Sequence, residues 1–305
     1  MNESEPKKLG QNIRSYEDKV QKGYDELGNE GVGVENWGTM MTKDGEMFNG
    51  YSDPRAIETF FTEPIARFIE GKKESLTVAD LGGDDGYLLN EILTGLRKKN
   101  HGLETKGIVV DLDSTGKARK SFSEKQSAGE RADMELVVGD ITQLPLGDGV
   151  LDVAISRMAM QYLDQEQQEK LLKEIVRVLK KEGYAIIQTV TDEKDNKAFN
   201  EVFEEITEII SKSPYFKRLF PSFKEFTSYK KFANKYGIEP MSVYGSVEIL
   251  FPMSAKSFAK RFKVAEKDLE ELYTEKSKKY PELFREIDGQ QCLIARLLNL
   301  RFKKT

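Results

Sequence analysis

The chain has 305 residues, 38% hydrophobic and 32% charged, with a formal net charge of −5. That composition suits a soluble globular protein with a sizeable core and excludes a disordered tail. Mild acidity argues against a face built to grip nucleic-acid phosphates, and no apolar run nears the roughly 20 residues that span a bilayer. The opening MNESEPKKLGQ lacks the apolar stretch of a signal peptide. One cysteine, Cys292, permits no internal disulfide and fits a cytoplasmic location. One histidine, His101, in a charged, turn-like context, argues against a multi-histidine metal site or a His-centred triad, so no metal is expected.

Residues 1–75 read as an N-terminal, mainly helical segment containing the glycine-rich bend Gly28–Gly33. After Ser52-Asp53-Pro54, the spacing of Ile57, Phe60, Phe61, Ile65, Phe68 and Ile69 predicts a helix with one buried stripe. From Leu76 the pattern changes. Apolar runs at 77–81, 107–110, 136–138, 151–155 and 184–190 alternate with amphipathic stretches, the clearest being Gln165–Leu179. Short apolar strands alternating with helices predict an α/β fold: a mostly parallel, doubly wound sheet covered on both faces.

Residues 195–262 hold 14 of the chain's 30 aromatic residues and are broken by Pro214, Pro221, Pro240 and Pro252. They read as an inserted, mainly helical lid subdomain over the sheet's carboxyl edge. Glu266–Lys279 is a solvated helix face, and Cys292–Leu298 suits a last strand, although 295–300 would also suit a helix. The expected organisation is 1–75, 76–194, 195–262 and 263–305.

Three strand tips carry acids. Asp80-Leu-Gly82-Gly83-Asp84-Asp85-Gly86 joins an apolar strand to a helix through a glycine turn, where the missing side chains let a ligand approach the backbone. The spacing is not the G-x-G-x-x-G of a pyrophosphate site, and its acids would repel phosphate, so a cationic or amine-bearing ligand is favoured. Asp111 ends the second strand, where a carboxylate can take both hydroxyls of a ribose; Asp113 is the second choice, or with Ser114 the cap of the next helix. Gly139-Asp140-Ile141 follows the third strand. Asp140 could accept an exocyclic amine while Ile141 packs on a ring, or the pair could simply form a turn.

Taken together these segments resemble the class I S-adenosylmethionine-dependent methyltransferases, in particular the broad type 11 small-molecule group. The continuations Asp140-Ile-Thr-Gln-Leu-Pro145 through Leu151-Asp152-Val, and Glu174-Ile-Val-Arg177-Val-Leu179 through Gly183, carry the resemblance across roughly residues 76–190. It implies a Rossmann-like, seven-stranded sheet that binds S-adenosylmethionine and releases S-adenosylhomocysteine. Asp80, Gly82, Gly83 and Gly86 would shape the methionine pocket, Asp111 would take the ribose, and Leu112 would lie against the adenine. Asp140 and Ile141 would hold the adenine edge and face. Ser156 and Arg157 would lie beside the amino-acid portion, with Met160, Gln161 and Tyr162 facing the methyl. Tyr16, Tyr24 and Trp37 would belong to an N-terminal lid over a small, possibly apolar or aromatic acceptor. Asp84 replaces the family's middle glycine, which keeps open a non-catalytic, cofactor-fold scaffold; a nicotinamide-dependent dehydrogenase fits the glycine spacing less well. Gly86→Val is expected to abolish binding and spare the fold.

Overall fold

The computed structural model describes residues 39–42, 47–49, 53–71, 74–112, 116–130, 133–160, 163–190, 197–212, 238–242, 249–287 and 289–304. The first elements are a short hairpin, β1 (Thr39–Thr42) and β2 (Met47–Asn49). Next comes the expected helix, in three parts. Asp53 caps α1 (Pro54–Ile57) by accepting the Arg55 N–H, one π turn spans Glu58–Thr62, and α2 covers Glu63–Ile69. The wide turn admits one extra residue, which lets the consecutive Phe60 and Phe61 both be buried.

The alternating region folds as its periodicity predicts. It runs β3 (Ser75–Leu81), α3 (Tyr87–Lys99), β4 (Glu104–Asp111), α4 (Lys117–Ser127), β5 (Met134–Val138), β6 (Leu151–Arg157), α5 (Gln165–Val178) and β7 (Leu179–Val190). There follow α6 (Lys197–Ile210), β8 (Ile238–Ser242), β9 (Ile249–Ser254), α7 (Ala255–Phe262), α8 (Glu266–Lys279), β10 (Phe284–Ile287) and β11 (Gln290–Lys304). Parallel ladders join β5, β4, β3, β6 and β7 in that order. Antiparallel β11 lies beside β7, and among the described strands β8, β9 and β10 also pair with β11, so the sheet extends beyond the expected seven strands. Cys292–Leu298 is therefore strand, and the helical option for 295–300 does not hold.

The segment expected to be a helical insertion is mixed, with α6 and α7 but also β8 and β9, and β9 pairs with β1. The cap of α4 also differs from expectation. Gly116, at φ 73°, occupies the cap position, with no side-chain bond, rather than Asp113 or Ser114. His101 is exposed in a turn, as read.

Two compact units emerge. One comprises 38–192, 222–251 and 295–305 and carries the parallel strands; the other comprises 1–37, 193–221 and 252–294. In the second, α8 buries Leu269, Leu272 and Tyr273, and the Tyr273 hydroxyl donates to the Met253 carbonyl at 3.0 Å. Its Lys276 is buried yet paired, with Glu205 at 2.5 Å.

In the sheet unit, side chains alternate between faces. Ala79, Leu81, Ile108, Val110, Ala154 and Ile187 pack against Leu171, Leu172, Ile175 and Val178 of α5. Asp164 caps α5 through a reciprocal box with Gln167. Two polar clamps fix the strands. Asp152, 3% exposed, accepts the Thr77 N–H and the Lys180 ammonium, both at 2.9 Å, tying β3, β6 and β7 together. Arg177 donates to the Leu144 and Leu146 carbonyls, to Asp148 and to both oxygens of Glu174, while Glu174 also accepts the Leu144 N–H. The Glu-x-x-Arg pattern thus holds the 144–148 loop rather than a ligand.

Candidate functional site

The carboxyl tips of β3, β4 and β6 meet around the glycine turn. Gly82, at φ 76°, donates its N–H to the Val110 carbonyl at 2.7 Å, which stitches the turn to β4. Asp84 takes a left-handed φ of 49° and gives its N–H to Asp111 Oδ2 at 2.9 Å. Its side chain is exposed, and a left-handed φ is one that Asp tolerates better than most residues.

Gly86, at φ 77°, starts α3, and it is a packing residue. A Cβ there would stand 2.9 Å from Val109 Cγ2 and 3.0 Å from Met134 Cε. Valine would collide with the core, so the expectation that Gly86→Val spares the fold is corrected. At Gly83 a Cβ would instead lie 2.7 Å from the Asp80 carboxylate. Asp85 is engaged elsewhere. It accepts the Tyr87 N–H at 3.1 Å, the Ser121 hydroxyl at 2.9 Å and the Lys125 ammonium. Burial alone would raise its pKa, but these bonds hold it below the ordinary value.

Asp80 is the unusual group. It is 1% exposed, and neither carboxylate oxygen has a hydrogen-bond partner. Burial is the chief cause that pushes its pKa up to about 7; Arg157 opposes this, while Asp111 and Asp84 add to it. A buried carboxylate without partners is costly unless it keeps its proton or meets a cation.

Around this centre the other predicted residues divide. Asp111 is half-buried beside the turn, with Leu112 next to it. The Asp111 carbonyl accepts the Gly139 N–H at 2.9 Å, which brings the β5 tip alongside. Asp140 Oδ1 accepts both the N–H and the hydroxyl of Thr142 at 2.7 Å, so one of its oxygens makes the turn that the alternative reading described. Ile141 and Met160 are buried in the α5-side core. Ser156 is fully buried and donates to the Leu81 carbonyl at 2.9 Å, locking β6 to β3. Arg157 is half-buried and is electrostatically coupled to Asp80. Tyr16, Tyr24, Trp37, Gln161 and Tyr162 lie outside the described residues, as do Asp113 and Ser114.

These residues fit a cationic adenosyl ligand. Asp80 lacks a partner that an ammonium would supply, and the Asp111 carboxylate stands beside the turn as a hydrogen-bond acceptor. Sequence reasoning missed Gln188, a fully buried side chain whose amide atoms also lack partners. Its signal was a polar residue inside the apolar run Ala185–Val190. Among the described residues no helix is long and apolar enough to cross a membrane, and no acidic, His or Cys cluster could hold a metal.

Residues 92–187, from within α3 to β7, match the family model described as a methyltransferase domain. The glycine turn lies just ahead of that span. No curated protein is similar to the chain. Among solved structures, a candidate methyltransferase from Bacillus halodurans C-125 is 17% identical, covers 79% of this chain and 97% of its own, and has a TM-score of 0.57. A candidate sarcosine dimethylglycine methyltransferase from Galdieria sulphuraria is 13% identical, with 93% and 98% covered and a TM-score of 0.54. The [4+2]-cyclase SpnF is 13% identical, with 96% and 94% covered and a TM-score of 0.51. At these identities the likenesses show the fold. One of the three is named for a cyclisation, so the fold leaves the acceptor open.

Proposed function

We propose that residues 92–187, which match a methyltransferase-domain model, belong with the surrounding core to a class I S-adenosylmethionine-dependent enzyme that methylates a small-molecule acceptor. The observation that carries the reading is the partnerless Asp80 carboxylate, buried at the glycine turn within electrostatic reach of Asp111. S-adenosylmethionine, when bound, supplies a methyl group on an already activated, positively charged sulfur. The chain's own residues then mainly position and shield. Asp80 faces the amino-acid portion and supplies the negative charge that a cation needs. Asp111 takes the ribose hydroxyls while it holds the turn through Asp84. Gly83 leaves room beside Asp80, and Leu112 and Asp140 face the adenine. Ser156 acts indirectly, by fixing β6 to β3. Arg157 sets the charge next to Asp80.

Tyr16, Tyr24, Trp37, Gln161 and Tyr162 are proposed to contact the acceptor. The exposed side chain of Asp84 and its backbone bond to Asp111 favour the cofactor-binding reading over a scaffold. The test is a mass-spectrometric screen of the full chain with S-adenosylmethionine and a panel of small acceptors. The reading predicts one product that has gained a methyl group and the release of S-adenosylhomocysteine. Cofactor binding without any methylated product across the panel would favour the scaffold.

A further inference from the structure

Gln188 has no part in the cofactor reading, yet it carries a stronger constraint than most residues near the crevice. It is fully buried, and neither Nε2 nor Oε1 has a hydrogen-bond partner. Buried amides are ordinarily paired, and an unpaired one in a native fold calls for a reason. Strand register locates it. Asp80 pairs with Ile155, Ile155 with Ile186, and Arg157 with Gln188. Paired residues of parallel strands share a face and residues two apart share it again, so Asp80, Arg157 and Gln188 lie on one face. The β7 strand is two strands from β3, about 10 Å across the sheet.

On the proposed function the adenine, ribose and methionine portions lie over β5, β4 and β3. That leaves the tips of β6 and β7 to the acceptor. The backbone there is tightly held. Met158 donates its N–H to the Gln188 carbonyl at 2.8 Å, from a left-handed φ of 56° that methionine rarely adopts. Just beyond, Ala159 Cβ lies where a Cβ on Gly82 would be only 2.7 Å away, so the β6 tip closes directly onto the glycine turn.

We propose that Gln188 recognises the acceptor, and that the acceptor presents a hydrogen-bond donor and acceptor side by side, as a carboxamide or ring lactam does. Nε2 donates to the acceptor's carbonyl oxygen while Oε1 accepts its N–H, so one ligand edge satisfies both halves of the buried amide. A carboxylate could use only the donor half and would set its charge against Oε1. The proposal rests on the methyltransferase reading and adds the acceptor's chemical class to it.

The experiment uses the full chain saturated with S-adenosylhomocysteine, with benzamide, 2-pyridone and benzoate as probes in saturation-transfer NMR. Wild type should bind benzamide and 2-pyridone about tenfold more tightly than benzoate, the size expected of two net hydrogen bonds. Gln188→Met keeps the length and removes the amide. It should erase the preference, leave S-adenosylhomocysteine affinity within about twofold, and melt no lower than wild type, since an unpaired buried amide adds no stability. Probe binding identical in both proteins would overturn the proposal, as would no amide binding to wild type. A lower melting temperature for Gln188→Met would also overturn it, because the amide would then be serving the fold. Failure of wild type to bind S-adenosylhomocysteine would instead sink the methyltransferase reading itself.

Discussion

Asp80 sits where a negative charge has no hydrogen-bond donor, and the charge of nearby Arg157 only partly offsets its burial. Its pKa rises from an ordinary 3.8 to about 7, so in the cofactor-free protein the group penalises folding once it must ionise. Below pH 4 both folded and unfolded chains are protonated and there is no penalty. Between pH 4 and 7 the unfolded chain ionises first and stability falls, by at most about 4 kcal/mol, and above pH 7 the full loss remains. Asp80→Asn should therefore raise the melting temperature at pH 8, with a gain that shrinks toward pH 5; equal curves at both pH values would contradict the assignment. A cationic ligand prefers ionised Asp80, so wild-type affinity for S-adenosylmethionine should increase from pH 6 to pH 8 with release of a proton. Calorimetry in buffers of different ionisation enthalpy reads that proton directly.

The neighbouring glycines separate by what a methyl group would strike. Gly86→Ala should chiefly destabilise, by about 1–3 kcal/mol, since it combines a left-handed backbone with overpacking against Val109 and Met134. Gly83→Ala should chiefly weaken cofactor binding, because its Cβ would meet only the Asp80 side chain. Denaturation and calorimetry on both variants check the contrast. The acids at the strand tips were legible because position in an α/β sheet predicts them. That Asp85 is neutralised by Lys125 from another helix, or that Asp80 is fully desolvated, depends on contacts across the sheet that no local spacing reveals.

Among the elements, strands β3 to β7 were readable because each is a short apolar run between turn residues. The Glu174–Arg177 pair was readable as a motif but not as a device, since its work is done on a loop about 30 residues earlier in the chain. Arg177→Lys should destabilise by about 2–3 kcal/mol, because one ammonium cannot replace a fork that bonds two carbonyls and two carboxylates. Chemical denaturation measures that loss, and a change below about 0.5 kcal/mol would show the clamp to be ornamental. The strands β8 and β9 were missed for a definite reason. Pro240 and Pro252 read as breaks, yet each lies within a strand, and among the described strands β8 pairs with β11 alone, as an edge strand does, where a lost N–H costs least. The α4 cap was misplaced because Gly116 has no side chain to advertise it.

At the scale of the whole molecule, the sheet is completed by residues far along the chain from its parallel strands. Residues 297–303 pair with β7, and Leu300 and Phe302 are buried in the α5-side core. Removing residues 297–305 should abolish cooperative melting followed by circular dichroism; a truncated chain that still melts sharply would show that the parallel strands suffice. The fold and the match of residues 92–187 to a methyltransferase-domain model were legible in the order of the motifs, whereas no motif in the sequence marks an acceptor. The most direct test of the central claim is calorimetric titration of the full chain with S-adenosylmethionine, compared with Asp80→Asn and Asp111→Ala. Saturable one-site binding by wild type, at least about tenfold weaker in both variants, is the predicted result. Absence of binding by wild type, or variants that bind as well as it does, would contradict the account.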